Sequence, residues 1–199
     1  MTESPPPSIV ILAGPNGAGK STTAPVLLHR TLGVTEFVNA DDIARDMGMS
    51  NVQRAAMSAG RIMLGRIREL ARQRRSFAFE TTLASRSFAP WLAGLRASGY
   101  ECHLQFLWLP SADFAIERVA ERVRAGGHDV PAETVRRRYR AGLRNFFRLY
   151  EPLASTWTMY DGSAALPTVI AERVGIEPAK VYDESCWDAI MRAVAADAD

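Results

Sequence analysis

One segment constrains the fold of this chain more than any other. An apolar run, Ile9-Val-Ile-Leu-Ala13, meets Gly14-Pro15-Asn16-Gly17-Ala18-Gly19-Lys20-Ser21 and then a helix-forming stretch, Lys20–His29. A short, continuous apolar run fits a central parallel strand covered on both faces. The glycine-rich segment matches the phosphate-binding pattern G-x-x-x-x-G-K-[ST] in its required context, with a strand before it and a helix after it. Glycines let successive backbone N–H groups converge on phosphate oxygens, and the helix start adds the positive end of its dipole. Gly14–Thr22 therefore read as a cradle for the phosphates of a nucleoside triphosphate. Lys20 supplies a compact charge to the β- and γ-phosphates, and the Ser21 hydroxyl ligates Mg²⁺. Lys20 is one of only two lysines beside 22 arginines, and in the empty site it is expected to be exposed. A ligand-free glycine turn is the bland alternative; the strand–loop–helix context argues against it.

Composition sets the outer limits. With 199 residues, 47 % hydrophobic and 23 % charged, the chain reads as an ordinary globular domain able to bury its own core. The net charge of +2, from 24 basic and 22 acidic side chains, gives no strong pull towards nucleic acid or an anionic membrane. Cys102 and Cys186 stand far apart without a ligand pattern, which suggests neither a zinc site nor a disulfide framework. No stretch approaches the ~20 apolar residues of a membrane span. The Pro-rich start lacks the regions of a signal peptide, so a cytoplasmic protein is expected.

Strands and helices alternate after the first motif. Glu36–Val38, Ser76–Phe79, His103–Leu109 and Thr156–Tyr160 read as further strands. Helices are expected over Asp41–Met47, 51–75, 87–98, Ala112–Ala125, Pro131–Leu149 and Ser185–Ala196. This predicts an α/β fold with a central, mostly parallel, five-stranded sheet. Residues 1–7 are expected to be a disordered tail, and 8–199 a single domain with a helical lid at about 123–138.

Three groups of side chains carry candidate chemistry. Arg118 and Arg122 lie one turn apart on the helix after the fourth strand, on the side opposite Ile116, Ala120 and Val123. From the helix alone, a solvated face pairing with Glu117 and Glu121 is the better reading than a nucleotide contact. In the lid, Gly126-Gly127 permits a hinge, and Pro131 can open the next helix. Arg136 falls on the apolar side of that helix with Tyr139 and Leu143, so it is the expected lid arginine. Arg144 and Arg148 read as surface residues. Asp41 and Asp42 follow the second strand and Glu80-Thr81-Thr82 the third, at the carboxyl ends where open parallel sheets bind ligands. An acid there can hold Mg²⁺ or take the proton of an acceptor hydroxyl; Asp41 and Asp42 also suit a helix N-terminus. His128 is read as part of the lid, and His29 and His103 as structural.

Taken together, Gly14–Thr22, Phe37-Val-Asn-Ala-Asp41, Ala59-Gly60-Arg61, Phe77-Ala-Phe-Glu-Thr-Thr82 and the stretch from Arg118 through Asn145 resemble the small bacterial branch of the zeta toxin family of P-loop kinases. The phosphate loop alone also resembles transporter ATPases, whose Ser-Gly-Gly signature and Asp-Glu-terminated strand are absent here. The zeta toxin resemblance implies an ATP- and Mg²⁺-dependent kinase acting on a hydroxyl of a small metabolite, such as UDP-N-acetylglucosamine. It implies a three-layer P-loop kinase fold with Lys20 and Asp41 as catalytic residues, Asp41 as base and Asp42 a less favoured substitute; Arg136 joins them from its place on the lid helix, and Arg122 from the resemblance of Arg118-Val-Ala-Glu-Arg122 to the paired arginines of nucleoside monophosphate kinases. Arg118 and Arg122 would hold nucleotide, Asp41, Glu80 and Thr82 the acceptor, and Ser21 with Glu80 the metal. An antitoxin protein is the partner such a chain would have. The competing reading is an ATP-binding regulatory or toxin–antitoxin module with little turnover. The chain departs from the better-studied members in being shorter and in having Thr-Thr-Leu-Ala in place of a Gly-rich turn.

Overall fold

The structure, a computed structural model, describes residues 5–29, 34, 36–47 and 52–196. Seven strands form one sheet: β1 (Ser8–Ala13), β2 (Phe37–Val38), β3 (Phe77–Thr81), β4 (Glu101–Trp108), β5 (Thr156–Asp161), β6 (Thr168–Val174) and β7 (Lys180–Val181). Their order is β2-β3-β1-β4-β5-β6-β7. The first five pair in parallel, and β6 and β7 add antiparallel strands at one side. The expected five-stranded sheet is therefore corrected to seven. The two additional strands escape a period-two reading because β6 buries the adjacent pair Ile170 and Ala171, and its ladder slips register opposite Met159 and Tyr160.

The helices are α1 (Lys20–His29), α2 (Ala40–Asp46), α3 (Val52–Arg72), α4 (Phe88–Ala97), α5 (Ala112–Arg124), α6 (Ala132–Asn145) and α7 (Glu184–Ala196). They cover both faces of the sheet. In β1, Ile9, Ile11 and Ala13 join one apolar cluster with Phe77, Phe79 and Phe146, while Leu12 joins a second with Ala24, Ala115 and Val135. Successive side chains of a strand point to opposite faces, so a run buried on both sides must be apolar throughout. Among the described residues, no helix is long and apolar enough to cross a membrane.

Two expectations about the elements change. The long helix expected over Pro131–Leu149 stops as an α-helix at Asn145 and continues as a π-helical turn, Phe146–Tyr150. That turn buries both Phe146 and Tyr150. Of the expected tail, residues 1–4 lie outside the described residues, and the Pro7 carbonyl accepts a hydrogen bond from the Glu101 amide at 3.0 Å. The reading of His29 falls on a side chain outside the description. His103 is 7 % exposed, with Nδ1 2.9 Å from the Thr156 hydroxyl.

Candidate active site

The carboxyl end of the parallel strands gathers β1, β2 and β3 around one cavity. Gly14 turns the chain out of β1 at φ 139°, a backbone region that favours glycine, and a Cβ there would sit 2.3 Å from the Leu107 carbonyl oxygen. The loop can take this path only without a side chain. Lys20 begins α1, and its Nζ donates to the Pro15 carbonyl at 2.8 Å and lies 3.7 Å from Glu80 Oε1. At 6 % exposed, it is buried where the sequence suggested exposure, because the loop and the Glu80 carboxylate close over the ammonium group. Burial lowers its pKa; Glu80 and Asp41 oppose that shift, and Arg122 adds to it.

Glu80 is the hub of this floor. Its Oε2 accepts from the Ser21 hydroxyl at 2.7 Å and from the Asn39 amide at 3.0 Å. Asn39 also donates to Ser21 Oγ at 3.2 Å. The other end of the same side chain caps α2, its Oδ1 accepting from the Asp41 amide at 2.8 Å. Asn39 therefore bolts the start of α2 to the phosphate loop. The residues alone gave it no role, although an Asn just before a helix with acids in its first turn, here Asn39-Ala40-Asp41-Asp42, is an N-cap signature. Ser21 and Glu80 offer oxygen donors side by side, the chemistry that a hard divalent cation takes. Among the described residues no group of three or more His, Cys, Asp or Glu gathers as a metal site, so further ligands would have to be phosphate and water oxygens.

A cavity of about 740 Å³ opens above this floor. Asn16, Gly17, Gly19, Lys20, Ser21, Thr22, Asp41, Glu80, Arg118 and Arg122 border it, as do Gly126, Gly127 and His128 of the α5–α6 loop. Gly14, Pro15 and Ala18 shape the loop from behind. Asp42 does not border the cavity; its carboxylate pairs with Arg45, which does, at 2.9 Å. Thr82 does not border the cavity; its carbonyl packs on α6, 2.4 Å from where a Cβ on Gly142 would lie.

The arginines divide differently from expectation. Arg118 stacks over the Phe114 ring at 5.9 Å and donates to the Ser163 carbonyl at 3.5 Å. Arg122 donates to the His128 carbonyl at 2.7 Å, while its buried Nε has no partner. Gly127 makes that contact possible, since a Cβ there would meet Arg122 Cγ at 2.5 Å. This glycine is packed against Arg122, where the sequence suggested a free hinge. Arg136, the expected lid arginine, instead pairs with Asp113 at 3.0 Å and Glu133 at 2.8 Å on the protein surface. Arg138 reaches the phosphate loop: its Nη1 donates to Asn16 Oδ1 at 3.3 Å. Burial lowers the Arg138 pKa, helped by Arg137 and opposed by Asp41. Asn16 lies 122 positions from Arg138 in the chain, so helical position alone could not select this arginine from the 136–138 triplet.

Residues 9–149 match the family model of the AAA domain. The chain belongs to the AAA domain family. It has a P-loop kinase-like α/β fold; β5, β6, β7 and α7 lie beyond the matched region. An uncharacterized protein of Haemophilus influenzae is 27 % identical over 130 residues, 65 % of this chain and 91 % of that protein. Among solved structures, a chain of the AvrRxo1-ORF1:ORF2 complex with ATP superposes with a TM-score of 0.72 at 17 % identity. The match covers 95 % of this chain but only 64 % of that one. A chain of the PezAT chromosomal toxin–antitoxin system of Streptococcus pneumoniae gives 0.59 at 11 % identity, covering 100 % and 90 %. At these identities the likeness is one of fold.

Proposed function

We propose that the chain is an ATP-dependent phosphotransferase of the zeta toxin type that phosphorylates a hydroxyl of a small metabolite, with UDP-N-acetylglucosamine the first acceptor to test. The observation that carries this reading is that Asp41, the candidate base, opens onto the same cavity as Lys20, Ser21 and Glu80. Backbone amides of Gly14–Thr22 bind the phosphates. Lys20 leaves the Pro15 carbonyl to meet them, and Arg118 and Arg122 border the nucleotide from α5. Asp41 accepts the proton of the acceptor hydroxyl as its oxygen bonds to the γ-phosphorus; the bond from that phosphorus to the bridging oxygen breaks, and ADP leaves with the electron pair. Arg138, and not Arg136, stabilises the charge that spreads over the transferring group. Ser21 and Glu80 would hold Mg²⁺, which would supply charge to neutralise the phosphates.

The solved relatives favour one further element. One was crystallised as a two-protein complex and another belongs to a toxin–antitoxin system, so an antitoxin-like protein is the partner proposed for this chain. The deciding experiment measures ADP release from ATP with and without UDP-N-acetylglucosamine and other hydroxylated metabolites, with mass spectrometry of the product. Acceptor-dependent ADP release and a product heavier by one phosphoryl group support the kinase. Tight ATP binding without turnover on any acceptor would instead establish a nucleotide-binding module.

A further inference from the structure

The α2 helix carries a feature that ATP does not require. Helix periodicity puts positions i, i+3 and i+4 on one face, and the face of α2 turned to the cavity carries Asp41, Ala44 and Arg45. The Asn39 bolt fixes the N-terminal end of α2 against Ser21 and Glu80, so the helix axis runs away from the phosphate floor. Arg45 therefore lies beyond Asp41 as seen from the phosphate loop, about one helical turn or ~5.4 Å along the axis. Ala44 puts only a methyl group on that face. Lys20, Arg118 and Arg122 already border the cavity beside the phosphate loop. Among the described residues, the Arg45 guanidinium pairs with Asp42, in an exposed i,i+3 pair with side chains 75 % and 52 % exposed. Such a pair is weak and readily exchanged.

We propose that Arg45 is a specificity residue that binds an oxyanion, phosphate or carboxylate, carried by the acceptor about one helical turn from the hydroxyl that Asp41 deprotonates. This rests on the phosphotransferase reading of Asp41 and narrows its acceptor to an anionic metabolite. A planar guanidinium matches a two-oxygen anion through paired hydrogen bonds, which a neutral sugar cannot offer. Asp42 acts as the placeholder, holding Arg45 at the rim until the anion displaces it.

The test needs no turnover, so it stands apart from the assay of the kinase reading. The full chain is saturated with a non-hydrolysable ATP analogue, which fills the phosphate floor, and titrated calorimetrically with pyrophosphate and with malonate. Binding of one or both is expected. Arg45→Ala should weaken it about 10-fold, the scale of a hydrogen bond to a charged group, and Arg45→Lys by less. Asp42→Asn frees the guanidinium and should tighten binding about 2-fold, the scale of an exposed ion pair. Affinity for the ATP analogue should stay constant throughout. Stronger binding of pyrophosphate identifies a phosphate-bearing acceptor, and stronger binding of malonate a carboxylate. No binding to the loaded wild-type chain, or equal affinity in Arg45→Ala, overturns the proposal. Loss of acceptor-dependent ADP release with every metabolite would overturn the kinase reading separately.

Discussion

The floor of the cavity and the arm above it are built on different physical terms. On the floor, β1, β2 and β3 bring Lys20, Ser21, Asn39 and Glu80 into one network of hydrogen bonds and a close charge pair, much of it shielded from water. The arm, α5 and α6 with the loop between them, carries single side-chain contacts instead: Arg122 donates to the His128 carbonyl within the arm, Arg118 to the Ser163 carbonyl, and Arg138 to Asn16 of the phosphate loop. Residues 126–129 of that loop are exposed. A buried, mutually satisfied network holds its geometry before any ligand arrives, whereas a few rim contacts can break and reform. On the proposed phosphotransferase reading, the floor would serve ground-state phosphate binding and the arm the stabilisation of the moving phosphoryl group.

The sharpest break of this contrast should come at Lys20. Lys20→Ala removes the one ammonium group of the floor, and transfer should fall by about 10³-fold, the upper range for loss of a preorganised electrostatic group. Single-turnover transfer of labelled phosphate measures it, with circular dichroism confirming the fold. Activity near that of the wild type would show that the loop does not serve ATP. Next comes Asp41. Asp41→Asn should reduce transfer by about 10²–10⁴-fold, the usual contribution of a general base, with ATP affinity nearly unchanged. Asp42→Asn should leave the chemical step intact, and the opposite pattern would move the base by one residue.

The arm should show a smaller and purely kinetic effect. Arg138→Ala is expected to slow transfer by about 10–10²-fold with little change in ATP affinity, because its charge acts on the transition state. Arg136→Ala breaks only exposed ion pairs and should change rate and stability by little. Equal effects of the two substitutions on single-turnover rates would erase the distinction between them. The smallest effect lies outside the site, at His103. Burial lowers its pKa from the ordinary 6.5, opposed by Glu101. The folded state therefore favours the neutral ring, and its stability is fully present above pH 6.5. As pH falls below that value the unfolded chain takes up the proton first, so stability declines until the folded pKa is passed. Denaturant midpoints between pH 5 and 7.5 should fall with acidity, and His103→Gln should flatten that slope.

What could be read from residues alone was local. Gly14–Ser21 states its own geometry because each glycine and the lysine act within a few positions of one another, and the same holds for the alternating strands and helices as far as β5. The acids at the ends of β2 and β3 were legible because a parallel sheet delivers its strand ends to one edge. Partnerships across long stretches of chain were not. Asn39 gained its role only when β2 lay beside β3 and Glu80 came within 3.0 Å. A helical wheel favoured Arg136 for its apolar side, yet Asp113 on α5 claims that side chain, and Arg138 is the one that meets Asn16. The antiparallel β6 and β7 depend on a register slip that leaves no period in the sequence. Local backbone chemistry is therefore set by the order of residues, whereas the choice among equivalent arginines and acids is made by which elements pack together. A charged side chain is fixed by its partner, and the partner comes from elsewhere in the chain.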